Sequence, residues 1–425
     1  MPLDERAVSI LRKEFPALAK QAGGPPAVFF DGPGGTQVHG SVLAAMERYL
    51  VEKNSNAHGS FSRSRSTDET VAEARLALAD FLNARAPEEI VFGPNMTTLT
   101  FQVSHSIGQT LRPGDEVVVT RLDHDANVAP WRALRERGVV VREVDFDPAD
   151  CTLDPRSLDA AITGRTRLVA VGYASNAVGT VNDVRRVVEL AHAAGAWAYV
   201  DAVHYAPHGS IDVQTLGCDF LVCSAYKFFG PHVGALFGRR EVLETLPAYK
   251  VRPAGDAPPD KFETGTPNYE GLAGATAAVV YLASVGRRFG KRPARDSSAA
   301  PSRRADLEAG LEAIRAYERG LLRRLLAGLE GIPGLRVYGI TDPSRLDERV
   351  PTVSFTLGRL GAGEIARRLD EENVYVWDGH FYAPSVIERL RLEDRGGLVR
   401  VGLVHYSTEE EVDRLVGLLA QMARP

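Results

Sequence analysis

Several things are scarce in this chain, and each scarcity closes off a class of function. Cysteine occurs three times, at Cys151, Cys218 and Cys223, an odd number without metal-type spacing. A disulfide scaffold and a zinc module are therefore not expected, no metal is expected either, and a reducing cytoplasm is the natural setting. No apolar run approaches the length of a bilayer span. The opening "MPLDERAVSILRKEFPAL" mixes both charge signs with short apolar gaps, as an amphipathic helix does, and lacks the apolar centre of a secretion signal. Basic charge is not in surplus: 50 Lys and Arg face 55 Asp and Glu, for a net −5. No overall field would draw in nucleic acid or a membrane surface. No repeat of fixed period is present. Lysine is rare too, at only seven of the 50 basic residues, so each lysine in an apolar setting needs a reason.

What is present is ordinary soluble material in quantity. With 425 residues, 44% hydrophobic and 25% charged, the chain can bury a large core, and its length suggests two or three domains. Its middle alternates short Val/Leu-rich runs, "EIVF", "DEVVVT", "VVVREVDF", "RLVAVGYAS", "AWAYVDAV", "DFLVCSA" and "GALFGR", with helical segments. Continuous apolar strands between helices predict an α/β domain, a doubly wound and mostly parallel sheet covered on both faces. Ligands of such a sheet sit at the carboxyl ends of its strands. From about Gly271 the texture changes: a helix "GLAGATAAVVYLASVG", a basic Pro/Ser-rich stretch over 287–304, a leucine-periodic helix over 304–331, then short strands and a last helix capped by Thr408 with Glu411. The expected organisation is an N-terminal segment (1–30) packing with the small domain, a large domain (31–270) and a smaller C-terminal α+β domain (271–425). The basic stretch reads as a solvated surface loop before it reads as an anion-binding segment.

The chemistry should lie where strands end. "FLVCSAYKFFGP" delivers Lys227 at the end of an apolar run, and "AWAYVDAVH" delivers Asp201 in the same way. Taken alone, that pair reads equally well as a buried salt bridge. "FGPNMTTLT" places Asn95, Met96 and Thr97 between a strand and a helix, where free N–H groups bind a phosphate or an asparagine simply caps. "RLDHDANVAPW" sets His124 just after another strand, and "ASNAVGT" sets Asn176 after a third, both ordinary loop residues in isolation. Together they bring a phosphate cradle, a flat ring, an amide, a carboxylate and a lysine to one sheet edge. Pyridoxal 5′-phosphate (PLP) needs that set, with a lysine Schiff base and an aspartate on the pyridinium nitrogen.

At the level of whole motifs the chain resembles the class V aminotransferase family of fold-type I PLP enzymes, in its cysteine desulfurase-like branch. The resemblance runs through "SNAHGSFSRSRSTDETVAEAR", "EIVFGPNMTT", "DHDANVAPW", "SNAVGTVND", "VDAVHYAPHGSIDVQTLGCDFLVCSAYKFFGP", "FETGTPNYEGLAG" and "VRVGLVHYSTEEEVDRLV". It implies that Lys227 holds PLP and carries protons, that Asp201 pairs with the ring nitrogen, that His124 stacks on the ring and that Asn176 bonds the phenolic oxygen. His204 would sit beside the ring. Met96 (through its backbone N–H), Thr97, Ser224 and Tyr226 would hold the phosphate. Tyr226 stands where relatives often carry His, and Asn95-Met96-Thr97 replaces a Gly-Thr-Thr. Thr266 would reach the phosphate of a neighbouring subunit, which implies a homodimer with shared sites. Arg400 would clamp the carboxylate of an amino-acid substrate. Asp31, in "FFDGPGGT", begins a turn that borders the substrate or is no more than a Gly-rich turn.

One position departs from the desulfurase pattern. The stretch matching the Gly-His-His-Cys-Ala motif is "DGHFYAP", with His380 kept and Tyr382 where the sulfur-accepting cysteine is expected. A phenol ionises near pH 10 and is a far weaker nucleophile than a thiolate. The expected activity is therefore PLP chemistry on an amino acid, through an external aldimine and quinonoid, without persulfide formation. A β-eliminating carbon–sulfur lyase leads, with epimerase, aminotransferase or decarboxylase as alternatives and a non-catalytic scaffold as a remote one. Tyr382 and His380 are then pocket residues, Tyr382 a candidate acid/base, or parts of a packed loop.

Overall fold

The computed structural model describes residues 2–19, 25–291 and 302–424. The centre of the basic 287–304 stretch, with its expected loop, lies outside the described residues. Thirteen strands occur among those described. β1 is Val28–Phe29. The next seven are β2 Ile90–Gly93, β3 Glu116–Thr120, β4 Val140–Val144, β5 Thr166–Gly172, β6 Trp197–Asp201, β7 Phe220–Ser224 and β8 Gly234–Gly238. The last five are β9 Leu335–Tyr338, β10 Thr352–Leu357, β11 Val374–Tyr375, β12 Trp377–Gly379 and β13 Leu398–Gly402.

β2 to β8 form one sheet in the order β2-β8-β7-β6-β5-β3-β4. From β7 to β4 all pairings are parallel, while β8 runs antiparallel to both β7 and β2. The sheet is thus mostly parallel, as expected. Side chains alternate along these strands, so Val118, Val169, Val200 and Leu221 fill the core on one face, and Val117, Leu168, Tyr199 and Phe220 fill the other. Burial on both faces is why the strands read as unbroken apolar runs.

A second sheet, β12-β13-β10-β9, is antiparallel, and β1 pairs with β11 in parallel. "VYVWDG", read from sequence as one piece, is split between two sheets at Val376. The helix Tyr269–Phe289 buries Leu272, Ala275, Val279 and Leu282 in the core of the large sheet. The helix Arg303–Glu330 contributes Leu307, Leu311 and Ile314 to that core, then Leu321, Leu325 and Leu329 to the core of the small sheet. Val28 and Phe30 also lie in the small-sheet core, and the helix Glu5–Arg12 places Ala7, Val8 and Leu11 in the large one. The capping box at Thr408 is formed, with Glu411 accepting from the Thr408 N–H at 2.9 Å. No helix among the described residues is long and apolar enough to cross a membrane.

Candidate active site

The carboxyl ends of the parallel strands converge on one group of polar side chains. Lys227 ends the short turn after β7, with its ammonium nitrogen bonded to the Pro33 carbonyl and 4.9 Å from the Tyr226 ring centroid. Burial and the nearby Arg400 lower its ionisation to about 7, against the opposing pull of Asp201. Asp201 ends β6, and its Oδ1 accepts from the Val203 N–H at 2.9 Å. Burial is the main reason its carboxyl is pushed up to about 7, with a further push from Asp123.

His124 follows β3. Its Nδ1 accepts from the Ala126 N–H at 3.0 Å, and burial beside Lys227 and Arg400 lowers the ring to about 4, so it is neutral at physiological pH. Asn176 donates from Nδ2 to the Phe381 carbonyl at 2.7 Å, while its buried Oδ1 has no partner. Arg400, on β13, donates from Nη1 to the Asn176 carbonyl at 2.8 Å, and its buried Nε is unpartnered. Burial depresses this guanidinium to about 9. Asp31 is close enough to feel Arg400, and burial raises its carboxyl to about 6. His204 bonds Thr352 Oγ1 at 2.9 Å and is held well below the usual histidine range by burial and by the charges of His208, Arg400 and Lys227.

At the proposed phosphate end, the helix Met96–Gly108 begins under an Asn95 cap. The Met96 N–H donates to Ser224 Oγ at 3.0 Å, joining the helix start to the end of β7. β8 is drawn against the same corner: a Cβ on Gly234 would stand 2.5 Å from the Asn95 carbonyl carbon. Thr97 Oγ1 bonds Met96 Sδ, and Tyr226 stacks on His232 at 4.9 Å between ring centroids. Thr266 lies exposed, and no hydrogen bond among the described residues joins it to this group.

The loop after β12 closes over the site. Gly379, Phe381 and Tyr382 all have positive φ, which is uncommon for the two non-glycine residues. Tyr382 is 70% exposed, its ring lies near-parallel to that of His124 with centroids 5.5 Å apart, and its carbonyl accepts from the Asp125 N–H at 2.7 Å. His380 is exposed and accepts from the Tyr382 N–H at 3.1 Å.

Three contributors escaped the sequence reading. Asp123, beside His124, is a buried carboxylate at the strand end just as Asp201 is, a signal present in "RLDHD". Phe381 lies under Arg400, and the Pro33 carbonyl receives Lys227; nothing in residue type announces either.

The chain matches the family description Aminotransferase class-V over residues 28–299 and 305–415, and it belongs to that family. It is 33% identical over 425 residues to a cysteine desulfurase of Enterobacter sp. (strain 638), covering 96% of both chains. It is 31% identical over 442 residues to a cysteine desulfurase of Dickeya dadantii, covering 100% of this chain and 98% of the relative. Among solved structures, the apo cysteine desulfurase of Thermococcus onnurineus NA1 superposes with a TM-score of 0.85 at 27% identity, over 98% of each chain. A cysteine desulfurase of Escherichia coli follows at 0.81 and 25%, over 97% of this chain and 98% of that one. The fold is that of fold-type I PLP enzymes, and the chain is a PLP-dependent enzyme.

The residues present fit that cofactor. A half-buried amine depressed to about 7, a buried carboxylate with only a backbone donor, a neutral imidazole and an unpartnered asparagine oxygen stand together at one edge of the sheet. The second N–H of Asn176 Nδ2 remains for an acceptor. A buried carboxylate of this kind suits a protonated ring nitrogen.

Proposed function

We propose that this enzyme acts on an α-amino acid by taking up the α-proton at Lys227 and expelling a β-substituent, without passing sulfur to a protein cysteine. PLP supplies the electron sink that stabilises negative charge at the substrate α-carbon. Lys227 is suited to the proton transfer because a lysine depressed to about 7 is partly unprotonated at neutral pH. Arg400 would receive the substrate carboxylate on its unpartnered Nε edge, while the Asn176 carbonyl fixes the guanidinium from the other side. Asp201 would hold the ring nitrogen, Asn176 the phenolic oxygen, and Met96, Thr97, Ser224 and Tyr226 the phosphate. His380, Tyr382 and Asp31 would line the substrate side.

The observation that carries the reading is the state of the cysteines. Cys151, Cys218 and Cys223 are all buried and free. Burial raises Cys151 to about 11 and Cys223 to about 12, and pushes Cys218 up as well. A thiol that neither ionises nor meets solvent is no sulfur acceptor. Tyr382 holds the loop position where one is expected.

We also infer a cytoplasmic homodimer. Leu50, Val51, Phe61, Tyr249 and Val251 are large apolar side chains left exposed, and the first of these stretches is tied to the helix Tyr269–Phe289 by the Ala57 N–H, which donates to Tyr269 OH at 3.4 Å. Thr266 is exposed and would reach a partner's site.

The deciding experiment incubates the holoenzyme with L-cysteine and S-substituted cysteines and measures products. Elimination, followed by hydrolysis with one water, releases the β-substituent as sulfide or a thiol together with a 2-oxo acid and ammonia. Alanine together with a protein persulfide would overturn the reading, and α-hydrogen exchange without elimination would mark the epimerase or aminotransferase branch. Borohydride reduction should leave the pyridoxyl group on Lys227, and on no other lysine.

A further inference from the structure

Asp123, like Glu89 and Asp201, is a buried carboxylate with no ion-pair partner among the described residues, and it is the one that lies beside Asp201. Glu116 is paired with Arg142 and Arg165, and Asp219 with His192 and Arg239. Asp123 has only neutral donors: Thr120 Oγ1 at 2.7 Å and the Gly172 N–H at 3.0 Å to one oxygen, and Asn127 Nδ2 at 2.8 Å to the other. No Lys, Arg or His among the described residues bonds it. Three neutral donors position a carboxylate without cancelling its charge, and an unpaired buried charge is costly. Positioning alone would not call for one.

The location supplies a reason. Gly172 ends β5 and is the in-register neighbour of Asp201 at the end of β6. A Cβ on Gly172 would stand 2.9 Å from Asp123 Oδ1, so the carboxylate rests directly on that backbone. Two buried carboxylates thus flank the end of β5, Asp123 from the β3 side and Asp201 from the end of β6. Each raises the other's demand for a proton or a cation. The other titratable groups whose charge couples to Asp201 are Tyr199, Cys223, Tyr226 and Lys227. The first three are acids with ionisation pushed upward, hence neutral, which leaves Lys227 as the one cation of that set.

We propose that Asp123 is a second anion of the cofactor site, a positioning residue that acts through Asp201 to keep the proton on the cofactor's ring nitrogen. The inference rests on Asp201 being the ring-nitrogen partner.

The test reconstitutes the protein with PLP labelled with ¹⁵N in the ring and follows the nitrogen's chemical shift against pH, a readout independent of turnover. In Asp123→Asn the ring nitrogen should lose its proton at a pH lower by about one unit than in the wild type. Asp123→Ser, smaller and equally neutral, should do the same and serves where the amide disturbs the Thr120 and Asn127 contacts. Thermal unfolding of the apo-proteins establishes that each variant is folded. A folded neutral variant titrating as the wild type does would overturn the proposal. Asp201→Asn separates the two layers. If it leaves the nitrogen unchanged, the partner assignment itself is wrong. If it shifts the nitrogen while both Asp123 variants do not, this inference alone fails.

Discussion

The guanidinium carbon of Arg400 lies 4.2 Å from the centroid of the Phe381 ring. The same Phe381 accepts from Asn176, and Asn176 in turn accepts from Arg400. A loop aromatic, an asparagine and an arginine therefore form a closed set of contacts.

With Arg400 as the carboxylate clamp, Phe381→Leu keeps most of the apolar volume and removes the ring from the cation. That interaction is worth about 0.5–2 kcal/mol, so amino-acid affinity should fall about 2- to 30-fold. Titrating L-alanine into the holoenzyme and following cofactor absorbance measures it. An unchanged half-saturation would remove Phe381 from the clamp.

Asp201 makes the stability of the apo-protein pH-dependent. Its carboxyl sits at about 7 when folded, against an ordinary 3.8. Between those values the folded protein keeps a proton that the unfolded chain has released. This contribution is fully present below the ordinary value and is lost as pH rises through about 7, at up to about 1.4 kcal/mol per unit. Asp201→Asn has no such slope. Its Tm relative to wild-type apo-protein should be more favourable at about pH 8 than at about pH 5. An equal difference at both would show that the carboxyl is not so perturbed.

Gly402 lies under the turn that holds Lys227. A Cβ there would stand 2.0 Å from Pro33 Cδ, and the Gly402 N–H already donates to the Phe30 carbonyl at 2.8 Å. Gly402→Ala should cost about 1–3 kcal/mol by overpacking, seen as a lower Tm. A variant as stable as the wild type would mean the turn yields freely.

Exposure of Tyr382 and burial of all three native cysteines give a labelling prediction. Native wild-type protein should take up no maleimide, and Tyr382→Cys should take up one per chain. Rapid labelling of native wild-type protein would place an accessible thiol in the structure and weaken the proposed chemistry.

The sheet, its strand-end site and the principal polar residues were legible because burial on both faces writes long Val/Leu runs, and a charge at the end of such a run is conspicuous. Lys227 and Asp201 stand out in that way. Asp123 was missed because the histidine next to it drew the assignment. Phe381 and the Pro33 carbonyl act through shape and backbone, which residue type does not encode. The division of "VYVWDG" between two sheets was hidden because short edge pairings depend on distant partners, β1 and β13, that local periodicity does not report.

The helix Arg303–Glu330 has 28 residues, a rod of about 42 Å. One end is sunk in the core of the large sheet and the other in that of the small sheet. Such a rod works as a shared axle rather than a tether. Any shift of the small sheet, and of Arg400 with it, bears through this helix on Leu307, Leu311 and Ile314 in the core of the large sheet. Mechanical work done at one anchorage is felt at the other without a flexible joint between them.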